Sequence, residues 1–144
     1  MAVSVDASSR TPASISAVIP ALNEEEAIEE TVRALQRAGV HEIIVVDGGS
    51  ADRTVDRAVQ TGARVVSGDR GRGRQLAEGA ARSTGEILWF VHADTLAPAD
   101  GCERIIEALR RPRCVGGHFG IRFSGRSLPA RFLTWLYRHL RLIG

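Results

Sequence analysis

The stretch Glu42-Ile43-Ile44-Val45-Val46-Asp47-Gly48-Gly49-Ser50 decides how this chain of 144 residues folds. The β-branched run from Ile43 to Val46 has no polar residue alternating within it, which reads as a parallel strand covered on both faces. Asp47 and the two glycines end that strand and open a loop. A helix from about Ala51 to Thr61 is expected to follow, with Ser50 as its cap and Asp52 as its first-turn acid.

Upstream, Ile15-Ser16-Ala17-Val18-Ile19 reads as a first strand, stopped by Pro20, which lacks an N–H and cannot continue a central ladder. Asn23 is expected to cap the next helix in a reciprocal box with Glu26. Ala27, Ile28, Val32 and Leu35 supply that helix with a buried stripe, and Gly39 ends it. Downstream, Ala63 to Val66 forms a third short strand, and Gly68 to Gly73 a loop rich in glycine and arginine. A helix then runs to about Arg82. Glu86 to Val91 is a fourth strand, delivering His92-Ala93-Asp94 at its carboxyl end. Pro98 and Asp100 start a helix reaching about Arg111. Val115 to Phe123 reads as a further strand, and Leu128 to Ile143 as a last helix. Strands separated by helices imply right-handed crossovers and a parallel α/β sheet, so Asn23, Asp47 and Asp94 converge on its carboxyl edge.

Composition sets the outer bounds. With 44% hydrophobic and 25% charged residues the chain fits one globular domain, not a disordered or collagen-like one. The net charge of +2 conceals a division, since residues 1–62 carry five Arg against ten acids and residues 63–144 fourteen against seven. Lys is absent. Uniform Arg use fits either genome composition or an anionic ligand. Cys102 and Cys114 show neither a disulfide framework nor zinc spacing, and a reducing cytoplasm is the expected compartment. Met1 to Ser14 lacks the apolar stretch of a secretory signal and reads as a flexible leader. No run approaches the roughly 20 apolar residues of a membrane span.

Three clusters offer chemistry. Asp47, before two glycines, serves either a ligand or its own loop. His92 and Asp94 place an imidazole and a carboxylate on one side of an extended segment, and a lone carboxylate would hold Mg²⁺ or Mn²⁺ only with help from a diphosphate. Arg70-Gly71-Arg72-Gly73-Arg74-Gln75 sets guanidinium groups before a helix start, where phosphate binds readily. It is neither a Rossmann fingerprint nor a Walker loop.

Taken in order, Ile15 to Glu25, Ile44 to Thr54 and Gly85 to Thr95 resemble the three signature blocks of family-2 glycosyltransferases with the GT-A fold. The Arg70–Gln75 loop and the His-Ala-Asp-Thr form resemble more closely the arsenosugar-biosynthesis-type subgroup. The resemblance implies a Rossmann-like, mostly parallel sheet flanked by helices, with residues 15–124 binding a nucleotide-diphosphate sugar. It also implies site residues. Pro20, Ala21, Leu22, Asn23 and Glu24 would line the nucleotide pocket, with Asp47 bonding the base beside Gly48 and Gly49. Arg70, Gly71, Arg74 and Gln75 would border the donor, joined by His92 and Ala93. Asp94 matches the metal-binding Asp of the D-x-D motif, bridging a divalent cation, Mg²⁺ or Mn²⁺, to the diphosphate.

Departures from the family pattern fall at Gly48 and His92, each in place of an Asp, and at Ala77, where relatives often carry Asn. No acid follows Glu107. The resemblance implies an acidic general base, which activates the acceptor in inverting transfer, in a C-terminal part expected to be missing from this chain, with His118 and His139 as the titratable substitutes. Residues 125–144 are expected to begin the acceptor side as an amphipathic basic helix. That helix suits either packing on the rest of the catalytic domain or a peripheral contact with anionic lipid. The acceptor stays open, and no nucleic-acid partner is implied. Two other readings remain: a catalytically silent nucleotide-binding module, and a nucleotidyltransferase, which would need a basic Gly-rich loop where Pro20-Ala-Leu-Asn-Glu24 is acidic.

Overall fold

A computed structural model describes residues 13–120. In chain order these form β1 (Ile15–Ala21), α1 (Ile28–Arg37), β2 (Glu42–Asp47), α2 (Thr54–Gln60), β3 (Arg64–Ser67), α3 (Arg72–Ala81), β4 (Ile87–Phe90) and α4 (Gly101–Leu109). The strands lie in the order β3-β2-β1-β4, and every neighbouring pair is parallel. The order reverses beside β1. This is where the loops leaving β1 and β4 diverge and a ligand crevice opens in such sheets.

Both faces of the central strands β1 and β2 are covered, which is why β2 is apolar without alternation. Ala17, Ile19, Ile43 and Val45 pack with Ile28, Val32 and Leu35 of α1. Val18, Ile44 and Val46 form the core of the other face with Leu76 of α3. There α3 lies close to the sheet at Gly79, where any Cβ would collide with Val18 Cγ1.

Several sequence expectations are corrected. Pro20 lies inside β1, paired with Val46. Backbone groups alternate sides along a strand: Val18 O accepts from Val91 N, toward β4, and Ala21 O accepts from Gly48 N, toward β2. The Pro20 nitrogen thus faces the β4 side, where pairing has ended at Val18 and Phe90. No ladder bond is lost. Helix α1 starts at Ile28 after an Ala27 cap with no side-chain bond, because Asn23 adopts φ 56°, outside the extended geometry of a capping residue. Helix α2 starts at Thr54, not Ala51, and Ser50 does not cap it. Helix α3 starts at Arg72, so Arg74 and Gln75 belong to a helix, not to the preceding loop.

The chain divides into two compact units at Glu107 and Ala108. In the described part of the second, a turn carries Arg113 at φ 65°, and residues 114–120 contain no strand. The paired Gly116 and Gly117 weaken any strand there. The remainder of the expected Val115 to Phe123 strand, the Leu128 to Ile143 helix with His139, and the leader up to residue 12 lie outside the described residues.

Candidate functional site

The carboxyl ends of β1 and β2 are joined by a clasp between the loops that follow them. Asn23 N donates to Ser50 Oγ at 2.9 Å, and Ala51 N donates back to Asn23 Oδ1 at 2.8 Å. Glu24 N donates to Thr54 Oγ1 at 2.8 Å and Glu25 N to Asp52 Oδ2 at 3.2 Å. Arg53 N returns a bond to Glu25 Oε2 at 3.0 Å. The amides of residues 23–25 are all engaged this way, as are the side chains of Asn23 and Glu25, so the Glu24 carboxylate is the group of these three that the clasp does not use. Hydrogen bonds from the Thr54 hydroxyl, Thr54 N and Glu25 N hold the Asp52 carboxyl below its usual range, outweighing the upward push of desolvation.

Asp47 is 7% exposed. Its Oδ2 accepts from Gly49 N at 3.0 Å, and Ser50 N lies 3.2 Å from both carboxylate oxygens. Gly49 sits at φ 88°, a conformation few other residues adopt. Of the two roles open to Asp47, the loop contact is present in the structure.

Gln75 was expected to border a ligand; its amide turns into the sheet. It is 5% exposed, and Nε2 donates to Ala21 O and Val46 O, both at 2.8 Å. Both amide hydrogens are consumed in tying the end of β1 to the end of β2. Gly48 provides the room, since a Cβ there would stand 3.0 Å from Gln75 Nε2. Arg70, Gly71, Arg72, Gly73 and Arg74 are exposed, with Gly71 at φ 132° leading into α3. The first turn of α3 holds no acid, so its free N–H groups and the arginines present uncancelled positive charge. The Arg74 to Asp69 pair, 3.5 Å apart and exposed, is weak.

After β4 the backbone turns, with Thr95 N donating to His92 O at 3.1 Å, instead of continuing extended as the sequence suggested. Ala93 is buried against the α1 side of the core, while its neighbours His92 and Asp94 are exposed. Its carbonyl accepts from Thr31 Oγ1 at 2.7 Å. With side chain and carbonyl both committed, Ala93 anchors the turn and gives a ligand neither.

Electrostatics unite these pieces. The Glu24 carboxyl is raised above its usual value by partial burial first, then by the negative charges of Asp94 and Asp52, with Arg72 and His92 acting against them. Glu24, Asp94, His92 and Arg72 follow or precede three different elements, and the last three lie within electrostatic reach of Glu24. Pro20, Arg72, Leu76, Phe90, Val91 and His92 line a small cleft at the carboxyl edge of the sheet. A second, open hollow lies beside the end of β3, lined by Ser67, Gly68, Asp69, Arg74, Ala77 and Glu78.

Among the described residues no three His, Cys, Asp or Glu side chains gather as a metal cluster. The donor set is instead an exposed Asp94 carboxylate, which fits a hard divalent ion that takes its other oxygens from a diphosphate and water. Thr31 and Thr54 were missed from the sequence. Thr31 falls on the stripe of Ile28, Val32 and Leu35, and a hydroxyl at a core position requires an acceptor. That requirement was the available signal; Thr54 gave none.

A parallel sheet with this strand order and polar loops at the switch point places the chain among the nucleotide-binding α/β folds, and the solved structures that it resembles make it GT-A-like. The sequence profile for glycosyl transferase family 2 matches residues 16–142, and the chain belongs to that family. Glucosyl-3-phosphoglycerate synthase of Mycolicibacterium smegmatis is 36% identical over 138 residues, covering 78% of this chain and 46% of that protein. The Mycobacterium tuberculosis synthase in complex with Mn²⁺, UDP and glucosyl-3-phosphoglycerate superposes with a TM-score of 0.61 at 34% identity, over 67% of this chain and 39% of that one. The same enzyme with Mn²⁺, UDP-glucose and phosphoglyceric acid gives 0.60 at 34% identity, over 67% of this chain and 39% of that one. The chain thus spans less than half the length of these relatives. Among the described residues, no helix is long and apolar enough to cross a membrane.

Proposed function

We propose that this chain forms the donor-binding part of a metal-dependent, inverting glycosyltransferase acting on a nucleotide-diphosphate sugar, with UDP-glucose the first donor to test. The observation that carries the reading is the cleft at the carboxyl edge of the sheet, where Pro20, Arg72 and His92 come together, with Glu24 within electrostatic reach of Asp94. In this reading Pro20 to Glu24 line the nucleotide pocket, and Asp47 with Gly48 and Gly49 borders the base. Arg70, Gly71, Arg72 and Arg74 face the diphosphate, where planar guanidinium forks match phosphate oxygens. Gln75 and Ala93 act by holding the edge in shape. His92 flanks the sugar-phosphate side.

Asp94 would hold Mg²⁺ or Mn²⁺ together with the diphosphate. Such an ion supplies charge neutralisation to a departing nucleoside diphosphate. The chain's own share is electrostatic: Arg72 and the α3 amino end place positive charge where negative charge develops, at no reorganisation cost. No residue of this chain is assigned the base that deprotonates the acceptor. The acceptor itself stays open between a phosphorylated small acid, as bound by the mycobacterial synthase, and one suited to the arsenosugar-type subgroup. Residues 15–124 constitute the donor domain in this reading and 125–144 the opening of the acceptor side, in a reducing cytoplasm.

Calorimetric titration with UDP-glucose and Mn²⁺ tests it. Mn²⁺ should tighten binding, and Asp94→Ala should abolish that metal-dependent gain; a gain unchanged in that variant would overturn the metal assignment. Because the chain spans less than half of its relatives, a second reading is a module that binds donor without turnover. Release of UDP on adding candidate acceptors would exclude that module.

A further inference from the structure

We propose that Thr31 is a positioning residue for Asp94, its hydroxyl setting the turn that presents the carboxylate. The inference rests on the reading of Asp94 as the metal-binding residue.

The β4 ladder ends as Val91 N donates to Val18 O, and beyond it the chain turns, with Thr95 N donating to His92 O. Among the hydrogen bonds of the described residues, the one tying this turn to another element is Thr31 Oγ1 to Ala93 O, buried and 2.7 Å long. The Ala93 carbonyl and the Asp94 N–H belong to one planar peptide group. Holding that carbonyl therefore fixes the plane from which the Asp94 side chain departs.

The donor stands on rigid ground. Thr31 lies within α1, is 1% exposed, and shares its helix face with Ile28, Val32 and Leu35 of the core. A helical threonine commonly returns its hydroxyl to the carbonyl four residues back. Here Ala27 O accepts from Thr31 N at 3.1 Å, and the hydroxyl reaches a partner 62 positions along the chain. The Ala93 methyl packs in the same cluster, so the turn is anchored through both its side chain and its carbonyl while His92 and Asp94 remain exposed. A charged ligand oxygen held at one point is what a diphosphate-bridged ion requires, and supporting bonds behind metal ligands commonly matter tenfold or more in affinity.

The test uses the whole chain and reads Mn²⁺ binding directly, by electron paramagnetic resonance of free Mn²⁺ in the presence of UDP. Thr31→Val, isosteric without the hydroxyl, is expected to weaken Mn²⁺ binding about tenfold. UDP binding in EDTA should hold at the unsubstituted level. Thr31→Ser, which keeps the donor, should recover most of the Mn²⁺ affinity. Thr31→Ala gives the same comparison if the valine variant does not fold, as judged by circular dichroism. Asp94→Asn separates the two claims. If Asp94→Asn abolishes Mn²⁺ binding while the hydroxyl-free variants match the unsubstituted chain, the positioning role is overturned and the metal site stands. If Asp94→Asn leaves Mn²⁺ binding intact, the metal site falls and the role of Thr31 with it. Equal loss of UDP binding in EDTA would also overturn the proposal, by showing general damage to the fold.

Discussion

Gly48 lies against Gln75: a Cβ at position 48 would stand 3.0 Å from Gln75 Nε2, an atom held by Ala21 O and Val46 O. The missing side chain at 48 and the buried amide at 75 are two halves of one packing arrangement. Gly48→Ala should destabilise the chain by about 1–3 kcal/mol, the usual range for overpacking. Gln75→Ala should cost about as much by removing two buried hydrogen bonds and leaving a cavity, although Ala21 O keeps its bond from Gly48 N. The double variant should show a coupling of about 1 kcal/mol, because removing the Gln75 amide frees the space that the added methyl needs. Urea denaturation of the four proteins measures it, and strict additivity would refute the arrangement.

How much of this was legible in the sequence follows from range. The apolar run of β2, the stop at Gly39 and the convergence of strand ends depend on local pattern and on crossover handedness, and the structure has them. Asn23 misled because its letter suits a helix cap, while its φ of 56° and its partners Ser50 and Ala51 are set by a loop far along the chain. Pro20 misled because whether its missing N–H matters depends on where β4 stops. Gln75 looked like part of a basic loop because a helix start at Arg72 leaves little local trace. Such readings need the neighbouring strand in place.

Glu42 makes stability depend on pH. Its Oε1 accepts from Ser16 Oγ at 2.6 Å and Thr84 Oγ1 at 2.7 Å, and also from Thr84 N. Desolvation pushes this carboxyl up, but the hydrogen bonds outweigh it and lower the pKa from the ordinary 4.5 to about 2. Between those values the unfolded state binds more protons than the folded one, so stability is present above the upper value and is lost as pH falls through the lower. Glu42→Gln should cost about 1 kcal/mol at neutral pH, a modest figure because the group is partly exposed. It should also flatten the acid limb of stability. Urea midpoints across that window check both, and an acid limb as steep as before would remove Glu42 from the account.

Glu24 has the opposite sign. Burial and the charges of Asp94 and Asp52 raise its pKa, so its ionised form is disfavoured on folding. The contribution is favourable at acid pH, where Glu24 is protonated in both states, and is lost as pH rises through the raised folded value. Glu24→Gln should therefore stabilise the ligand-free chain slightly at neutral pH and have no effect in acid. Thermal melts at the two pH values test the sign. Destabilisation at neutral pH would show that Glu24 is held by attraction and is not strained by its acidic neighbours.

Gly79 reverses the ordinary rule for helices. In an exposed helix interior, replacing Gly by Ala commonly gains about 1 kcal/mol through backbone entropy. At Gly79 the new methyl would overlap Val18 Cγ1 and stand 3.0 Å from Val46 Cγ2. Val18 and Val46 are fully buried in the central strands β1 and β2, so neither can yield without disturbing the sheet. Gly79→Ala should lose about 1–3 kcal/mol, because overpacking exceeds the propensity gain. Because α3 begins at Arg72, which lines the cleft, lifting it should also weaken UDP binding in the proposed reading, and Val18→Ala should restore part of both losses by vacating the contact. Urea denaturation and calorimetry on the single and double variants decide it: a Gly79→Ala chain more stable than the original would mean that α3 does not seat against the sheet at this point.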